Sequence, residues 1–183
     1  MITEVYYKFL SIINSQEFLR SFFDNRFYLI LLVILLLRAK YTTYKSMWLT
    51  ALVNIPGPIL HEFMHFFVGL ILNAHPCNFT VFPRRGEDGG YVMGSVGFRN
   101  VTFYNAVPAS MAPLLLLPIG FYMNRYLLPY LTPTFVNYIL YVLLQTIIIE
   151  NAVPSKADFR VAGTYFTGVI LYGFVFLSLF LMM

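Results

Sequence analysis

The sequence predicts an all-α polytopic membrane protein with about five transmembrane helices and a small β-hairpin after the second helix. Hydrophobic residues make up 59% of the 183 positions and charged residues only 11%, whereas charged residues make up about 25% of an ordinary soluble domain. Apolar segments follow one another with proline, asparagine or charged residues between them, and one central stretch alternates apolar and polar side chains. The length suits a single domain, residues 1–183.

The charge pattern and the cysteine content exclude several other classes. Twelve basic and eight acidic residues give a net charge of +4, and the basic ones are scattered at the ends of apolar segments. That arrangement fits contacts with lipid headgroups and not a nucleic-acid groove. The single cysteine, Cys77, excludes an internal disulfide. We therefore expect an integral, multi-pass protein of the cell membrane with no nucleic-acid partner, and the sequence leaves its oligomeric state open.

The N-terminal part predicts one surface helix followed by the first span. Residues 1–20 carry apolar side chains at helical spacing, which indicates an amphipathic helix lying on the bilayer; a partner-binding helix is the alternative. These residues lack the basic start and small-residue cleavage site of a signal peptide. The first span, residues 22–39, contains the apolar run FYLILLVILLL and has basic residues at both ends.

The second span, residues 47–72, is interrupted by Pro56-Gly57-Pro58. Proline removes a backbone donor and clashes with the preceding turn, so we expect the helix to break there and restart with Pro58 in its first turn.

Residues 74–104 predict a β-hairpin with a polar, glycine-rich turn, because apolar and polar residues alternate on both sides of PRRGEDGG. Gly90, Gly94 and Gly97 leave the second strand with little side-chain cover. This strand is either a weak loop strand or an exposed edge that another extended chain could join.

Three further spans complete the predicted fold. The third, residues 106–127, contains three prolines, so it should be kinked and packed against neighbours that satisfy the freed carbonyls. The fourth, residues 133–150, begins with Thr132 as the cap and Pro133 in the first turn. The last covers residues 157–183.

The motif HEFMH lies within the second span and carries the only histidines that share a helical segment. Positions four apart face the same side of a helix, so His61 and His65 can bind one centre with Glu62 beside it. This is the H-E-x-x-H arrangement of two zinc ligands and a general base. The alternative is that both histidines are buried polar residues bonded to backbone carbonyls, with Glu62 paired to one of them.

A catalytic zinc usually takes three protein ligands and keeps a fourth position for water. His75 would lie about 15 Å along the axis from His65 if the helix continued, which is too far without a sharp turn back. Asp158 is the better third ligand, because it opens the last helix and can face the second segment. The alternative is that Asp158 only caps the helix, since Ser155-Lys156-Ala157-Asp158 is also a capping-box pattern.

One further acidic residue lies close to these segments. Glu150 ends the fourth span and is expected to be solvated or paired with Lys156.

Three stretches of the chain resemble the site-2 protease type of intramembrane zinc metalloprotease. They are PGPILHEFMH, the strand-forming segment after it, and NAVPSKAD, and the resemblance covers roughly residues 47–175. The family has H-E-x-x-H on one transmembrane helix and an aspartate ligand on a later one, in an N-x-x-P…D-G motif. Asn151, Pro154 and Asp158 match that motif, although the aspartate is one residue closer to the proline and Phe159 stands where the family has glycine.

The resemblance implies a zinc enzyme that cuts peptide bonds of membrane proteins or membrane-associated peptides. Zinc would activate water, Glu62 would act as general base, and Asn151 would donate a hydrogen bond to the oxyanion; a loop-capping asparagine is the alternative. A non-catalytic zinc-binding membrane scaffold or regulator is a competing function. A metal or proton transporter would need ionisable residues along several spans, and outside the motif this sequence has almost none.

Overall fold

The fold is described by a computed structural model that covers residues 2–41, 55–82, 84–85, 91–92 and 94–182. This part of the chain is mostly helical, with short antiparallel strands between two sets of helices. The prediction of a helical protein with a small β-hairpin insertion is therefore confirmed.

The N-terminal segment contains three helices where the sequence predicted two. They are α1 (Ile2–Ile13), α2 (Gln16–Asp24) and α3 (Arg26–Tyr41). The prediction of one helix over residues 1–20 is wrong, because Ser15 is extended and its side chain caps α2 by accepting from the Phe18 N–H. The prediction of one helix over residues 22–39 fails at Asn25, which is also extended and accepts from the Phe27 N–H.

The helix that carries HEFMH is α4 (Pro56–Ile71). It begins at the predicted proline break, with Pro56 and Pro58 in its first turn and Gly57 buried between them. The part of the predicted 47–72 span before Ile55 falls outside the described residues.

The described residues of the predicted hairpin form four short antiparallel strands: β1 (Pro76–Thr80), β2 (Arg84–Arg85), β3 (Tyr91–Val92) and β4 (Ser95–Phe98). β1 pairs with β4 and β2 with β3. The hairpin packs on α4, where the Phe98 ring fills the space that a side chain at Gly69 would occupy. Fully buried Asn105 fixes the return of the chain, because its amide donates to the carbonyls of Leu72 and Asn100.

The predicted third span is a broken segment, as its prolines require. It consists of α5 (Ala106–Ser110), a 3₁₀ turn (Ala112–Leu115), α6 (Leu116–Tyr122), a π turn (Met123–Leu127) and a second 3₁₀ turn (Leu128–Tyr130). Each proline removes one donor from the helical ladder, so the backbone changes helix type instead of continuing.

The C-terminal part contains α7 (Phe135–Glu150), α8 (Lys156–Thr164) and α9 (Phe166–Met182). The cap of α7 is Thr134 and not Thr132 as predicted, because the Thr134 hydroxyl accepts from the Asn137 N–H. The predicted single helix over residues 157–183 is wrong, since the chain bends by 94° between α8 and α9. The bend is set by tertiary contacts: Gly168 packs against the Phe103 carbonyl, and the Tyr165 hydroxyl donates to the Val101 carbonyl.

Within residues 2–41, 55–82 and 94–182, two hydrophobic clusters hold the helices together. One joins α3 to α7 around Leu29, Val33 and Val142. The other lies beneath the HEFMH face of α4 and contains Met64, Ala112, Leu116, Ile148 and Ala152. Among the described helices, none is by itself both long and apolar enough to cross a membrane, whereas α8 and α9 together meet that requirement by length and composition despite their bend.

Candidate metal centre

The two histidines of HEFMH meet at one point on the buried side of α4. Their rings lie 4.8 Å apart between centroids, and the Nε2 atoms of His61 and His65 are 3.1 Å apart. The side chain of His65 is 5% exposed and that of His61 is 13% exposed. The i, i+4 spacing therefore produces the predicted convergence, largely shielded from the surroundings.

Both rings are oriented by main-chain carbonyls from other helices. His61 Nδ1 lies 2.8 Å from the Asn151 oxygen, and His65 Nδ1 lies 2.8 Å from the Ala109 oxygen. A carbonyl only accepts, so each Nδ1 carries the hydrogen of its imidazole and donates it. In the neutral rings both Nε2 atoms then hold bare lone pairs that face one another.

Asp158 brings its carboxylate to the same point from α8. Its Oδ2 lies 3.6 Å from His61 Nε2, and its Oδ1 lies 3.4 Å from His65 Nε2. The same carboxylate accepts from the Ser155 N–H at 2.6 Å, and the Asp158 N–H donates to the Ser155 hydroxyl at 3.2 Å. The capping box and the approach to the imidazoles are therefore both present, and the cap fixes the carboxylate where it faces the histidines.

The three donor atoms have the chemistry and the spacing of a metal site. One ligand atom from each of His61, His65 and Asp158 lies within 4.8 Å of the others, so this group could hold a metal ion. Two lone pairs and a carboxylate at such short range repel one another unless a cation lies between them. Tetrahedral zinc with bonds of about 2.0–2.1 Å separates neighbouring donors by about 3.3 Å, close to the observed distances. The residues present therefore fit zinc.

Glu62, the predicted general base, is buried beside this group on the next position of α4. The hairpin covers it at Gly94. A Cβ at that position would lie 2.7 Å from Glu62 Cγ and 3.0 Å from Glu62 Oε1, so only glycine leaves room for the carboxylate as it stands.

Asn151, the predicted oxyanion donor, contacts the centre through its backbone in this structure. Its carbonyl accepts from His61, while its side-chain amide donates to the Ile147 carbonyl at 2.8 Å and packs against Gly57. The bond to Ile147 uses one of the two N–H groups of the amide. The other N–H could still donate to an oxyanion, so the predicted catalytic role of Asn151 stays a prediction.

His75 and Glu150 both lie outside the donor group. His75 is exposed beyond the end of α4 and does not belong to the donor group, as its position in the sequence predicts. Glu150 is paired with Lys40 at the end of α3, and both side chains are largely buried. The prediction that Glu150 is solvated or paired with Lys156 is therefore wrong.

Sequence reasoning missed the residues that orient the histidines. The Ala109 carbonyl has no side-chain signature, and the signal that could have found it is Pro113, four residues later. Comparisons of the chain with protein-family models, with curated proteins and with solved structures found no match.

Proposed function

We propose that the protein is an intramembrane zinc metalloprotease of the site-2 protease type, which hydrolyses peptide bonds of membrane-associated substrates. The observation that carries the proposal is the convergence of His61, His65 and Asp158, with bare Nε2 atoms facing a carboxylate beside buried Glu62. A site that only stabilised the fold would need no carboxylate next to its ligands, whereas hydrolysis needs a base there.

The residues of the chain divide the chemistry between them. Zinc held by the three donors would supply a Lewis acid that polarises the scissile carbonyl and makes water a nucleophile near neutral pH. Glu62 removes a proton from the attacking water onto its carboxylate and returns it to the leaving amine. Asn151 is the proposed donor to the oxyanion through the second N–H of its amide.

The hairpin is the proposed binding surface for the substrate. A peptide must be extended before water can attack its backbone, because helical carbonyls are engaged in hydrogen bonds. β4 lies against α4, and Gly94 just before it contacts Glu62. A peptide that added to the glycine-rich strand would therefore bring its own backbone close to the base.

The lipid bilayer is the proposed environment of the protein. α9 buries Gly168 alone among its described residues, and its large apolar side chains are at least 65% exposed at Phe166, Phe174, Phe176, Phe180 and Leu181. Hydrocarbon is the surrounding that covers such side chains without cost. Expressed full-length protein should stay in the membrane pellet after alkaline carbonate washing, and its release into the supernatant would contradict this location.

The decisive experiment compares wild-type protein with Glu62→Gln after reconstitution into liposomes with solubilised membrane proteins. We expect new peptide termini with the wild type, no new termini with Glu62→Gln, and equal zinc content in both proteins, since Glu62 is not a ligand. Glu17→Gln, the same change at an exposed position on α2, is the matched control and should cleave normally.

Cleavage by Glu62→Gln at the wild-type rate would contradict the general-base role. Stoichiometric zinc without cleavage by the wild type would favour the non-catalytic scaffold.

A further inference from the structure

Each metal-facing histidine contacts a carbonyl from which a proline removes one backbone donor, the α-helical donor at Ala109 and the 3₁₀ donor at Asn151. In an α-helix the carbonyl of one residue accepts from the N–H four residues later. The carbonyl of Ala109 would accept from position 113, which is Pro113 and has no N–H. The Nδ1 of His65 lies 2.8 Å from that oxygen instead.

The second carbonyl belongs to Asn151, the residue that caps the end of α7. The residue three positions later, which would bond it in a 3₁₀ turn, is Pro154 and has no N–H. The residue four positions later, Ser155, donates its N–H to the Asp158 carboxylate at 2.6 Å. Position 154 therefore offers no N–H to the Asn151 carbonyl, and the N–H of position 155 is engaged elsewhere. His61 Nδ1 donates to that carbonyl instead.

We propose that Pro113 and Pro154 are positioning residues that set the tautomer and the orientation of the two zinc-binding histidines. By keeping two carbonyls free of backbone donors, they hold the hydrogen of each imidazole on Nδ1 and turn each Nε2 toward the centre. This inference rests on the proposed metal site and deepens it. It assigns to main-chain carbonyls the task of accepting the hydrogen bond from the second ring nitrogen, which carboxylates often do in zinc proteins.

The arrangement explains why an irregular segment lies against the site. In a continuous helix through residues 106–122, the Ala109 carbonyl would accept a hydrogen bond from the N–H of position 113. His65 would then lose its Nδ1 acceptor, and the ring could exchange tautomers or rotate away from His61. Loss of an outer-shell partner typically weakens metal binding by about 10–100-fold.

The test measures the metal affinity of the purified full-length protein in detergent, by competition with a chromophoric zinc chelator and by the visible absorption of bound Co²⁺. We expect Pro113→Ala and Pro154→Ala to bind zinc about 10–100-fold more weakly than the wild type and to alter the Co²⁺ spectrum. Pro118→Ala is the matched control, because it restores a donor to the carbonyl of Leu114 in the same segment, and should bind as the wild type does. Equal affinity in all four proteins would overturn the inference.

A rescue variant separates the missing N–H from the proline ring. The α-hydroxy analogue of alanine at position 113 or 154 introduces a backbone ester that, like proline, has no N–H. We expect it to restore wild-type zinc affinity and the Nδ1–H tautomer in ¹⁵N spectra of labelled histidine. An ester variant that binds zinc as weakly as the alanine variant would overturn the inference. If the alanine variant does not fold, the ester variant is compared with the wild type, and zinc binding weaker by more than about 10-fold would overturn the inference.

The outcomes distinguish this inference from the proposed function. A wild-type protein that binds no zinc would end both proposals. A wild type that binds zinc and cleaves peptides, together with unaffected proline variants, would end the inference alone. Weakened binding in the alanine variants of a protein that never cleaves peptides would uphold the inference while the protease assignment failed.

Discussion

At the scale of single residues, two glycines leave space for polar side chains of the candidate metal centre. Gly94 lacks the Cβ that would enter the space of the Glu62 carboxylate, and Gly57 likewise leaves room for the Asn151 amide. Two of the predicted catalytic groups are thus each packed against a glycine from another segment. The backbone of the hairpin and the first turn of α4 therefore fix how far these groups can move.

Replacing Gly94 with alanine should displace Glu62 and slow cleavage. The added methyl group would lie 2.7 Å from Glu62 Cγ, which forces the carboxylate or the strand to move. Misplacement of a catalytic group by about 1 Å costs on the order of 100-fold in rate, so we expect a loss of that size in peptide cleavage.

The matched control is Gly173→Ala on α9, whose methyl group would meet no other atom within 4 Å. Zinc content should be unchanged in both variants, because neither glycine touches the ligands. Full activity of Gly94→Ala would show that the hairpin does not constrain the base.

The convergence of His61, His65 and Asp158 was predictable from the sequence, because a metal site requires particular side chains at particular spacings. His61 and His65 follow from the helical repeat, and Asp158 follows from its position at the start of a later helix. The orienting carbonyls were not predictable in the same way, since every residue has one and only the fold selects which is used. The partner of Glu150 was missed for a similar reason, because Lys40 is distant in sequence and is brought close by the packing of α3 on α7.

At the scale of elements, the start of α8 combines a helix cap with a residue of the candidate metal centre. Its capping box holds Asp158 by two hydrogen bonds: the carboxylate accepts one from the Ser155 N–H, and the Asp158 N–H donates the other to the Ser155 hydroxyl. The sequence presented the cap and the ligand as alternatives. The structure shows that the carboxylate has a second oxygen for the centre while the first accepts from the cap.

Ser155→Ala should weaken both the helix and the metal site. Loss of a capping hydroxyl costs about 1 kcal/mol of unfolding free energy, and loss of an outer-shell constraint on Asp158 should lower zinc affinity by about 10-fold or more. Both quantities are measurable on purified protein by thermal unfolding and by chelator competition.

Thr134→Ala removes the corresponding cap of α7, where the hydroxyl accepts from the Asn137 N–H. It should cost a similar free energy and leave zinc affinity unchanged. Equal affinities in the two variants would mean that the cap of α8 has no part in ligand placement.

The element boundaries divide into those that local chemistry sets and those that tertiary contacts set. The proline break at the start of α4 and the irregular third segment were predictable, since proline lacks a donor wherever it stands. The bend between α8 and α9 was not predictable, because the sequence is apolar across it and the cause lies in contacts to Val101 and Phe103.

At the scale of the whole molecule, the centre joins four helices that come from different parts of the chain. α4 contributes both imidazoles, α5 and α7 contribute the carbonyls that orient them, and α8 contributes the carboxylate. A bound ion would therefore connect the hairpin half of the chain to its C-terminal half. Binding to the folded state alone stabilises that state by mass action.

Zinc should raise the thermal stability of the wild-type protein. At a free concentration about 100-fold above the dissociation constant, the gain is about 2.7 kcal/mol, which corresponds to a rise of about 5–10 °C in Tm for a chain of this size. The rise is measured by thermal unfolding in detergent with and without a zinc chelator.

His65→Ala should abolish that zinc-dependent rise because it removes one donor. His75→Ala, a change of the same residue type at an exposed position, should retain it. An equal rise in both variants would place the stabilising ion elsewhere.

The order of the donors along the chain also affects biogenesis. Synthesis runs from the N-terminus, so both imidazoles emerge long before the aspartate that completes the triad. A nascent chain therefore carries a partial site with two nitrogens, and the proposed hydrolysis would have to wait until the capped turn of α8 has docked. Such a delay would protect neighbouring newly made polypeptides from being cut while the protein itself is still being assembled.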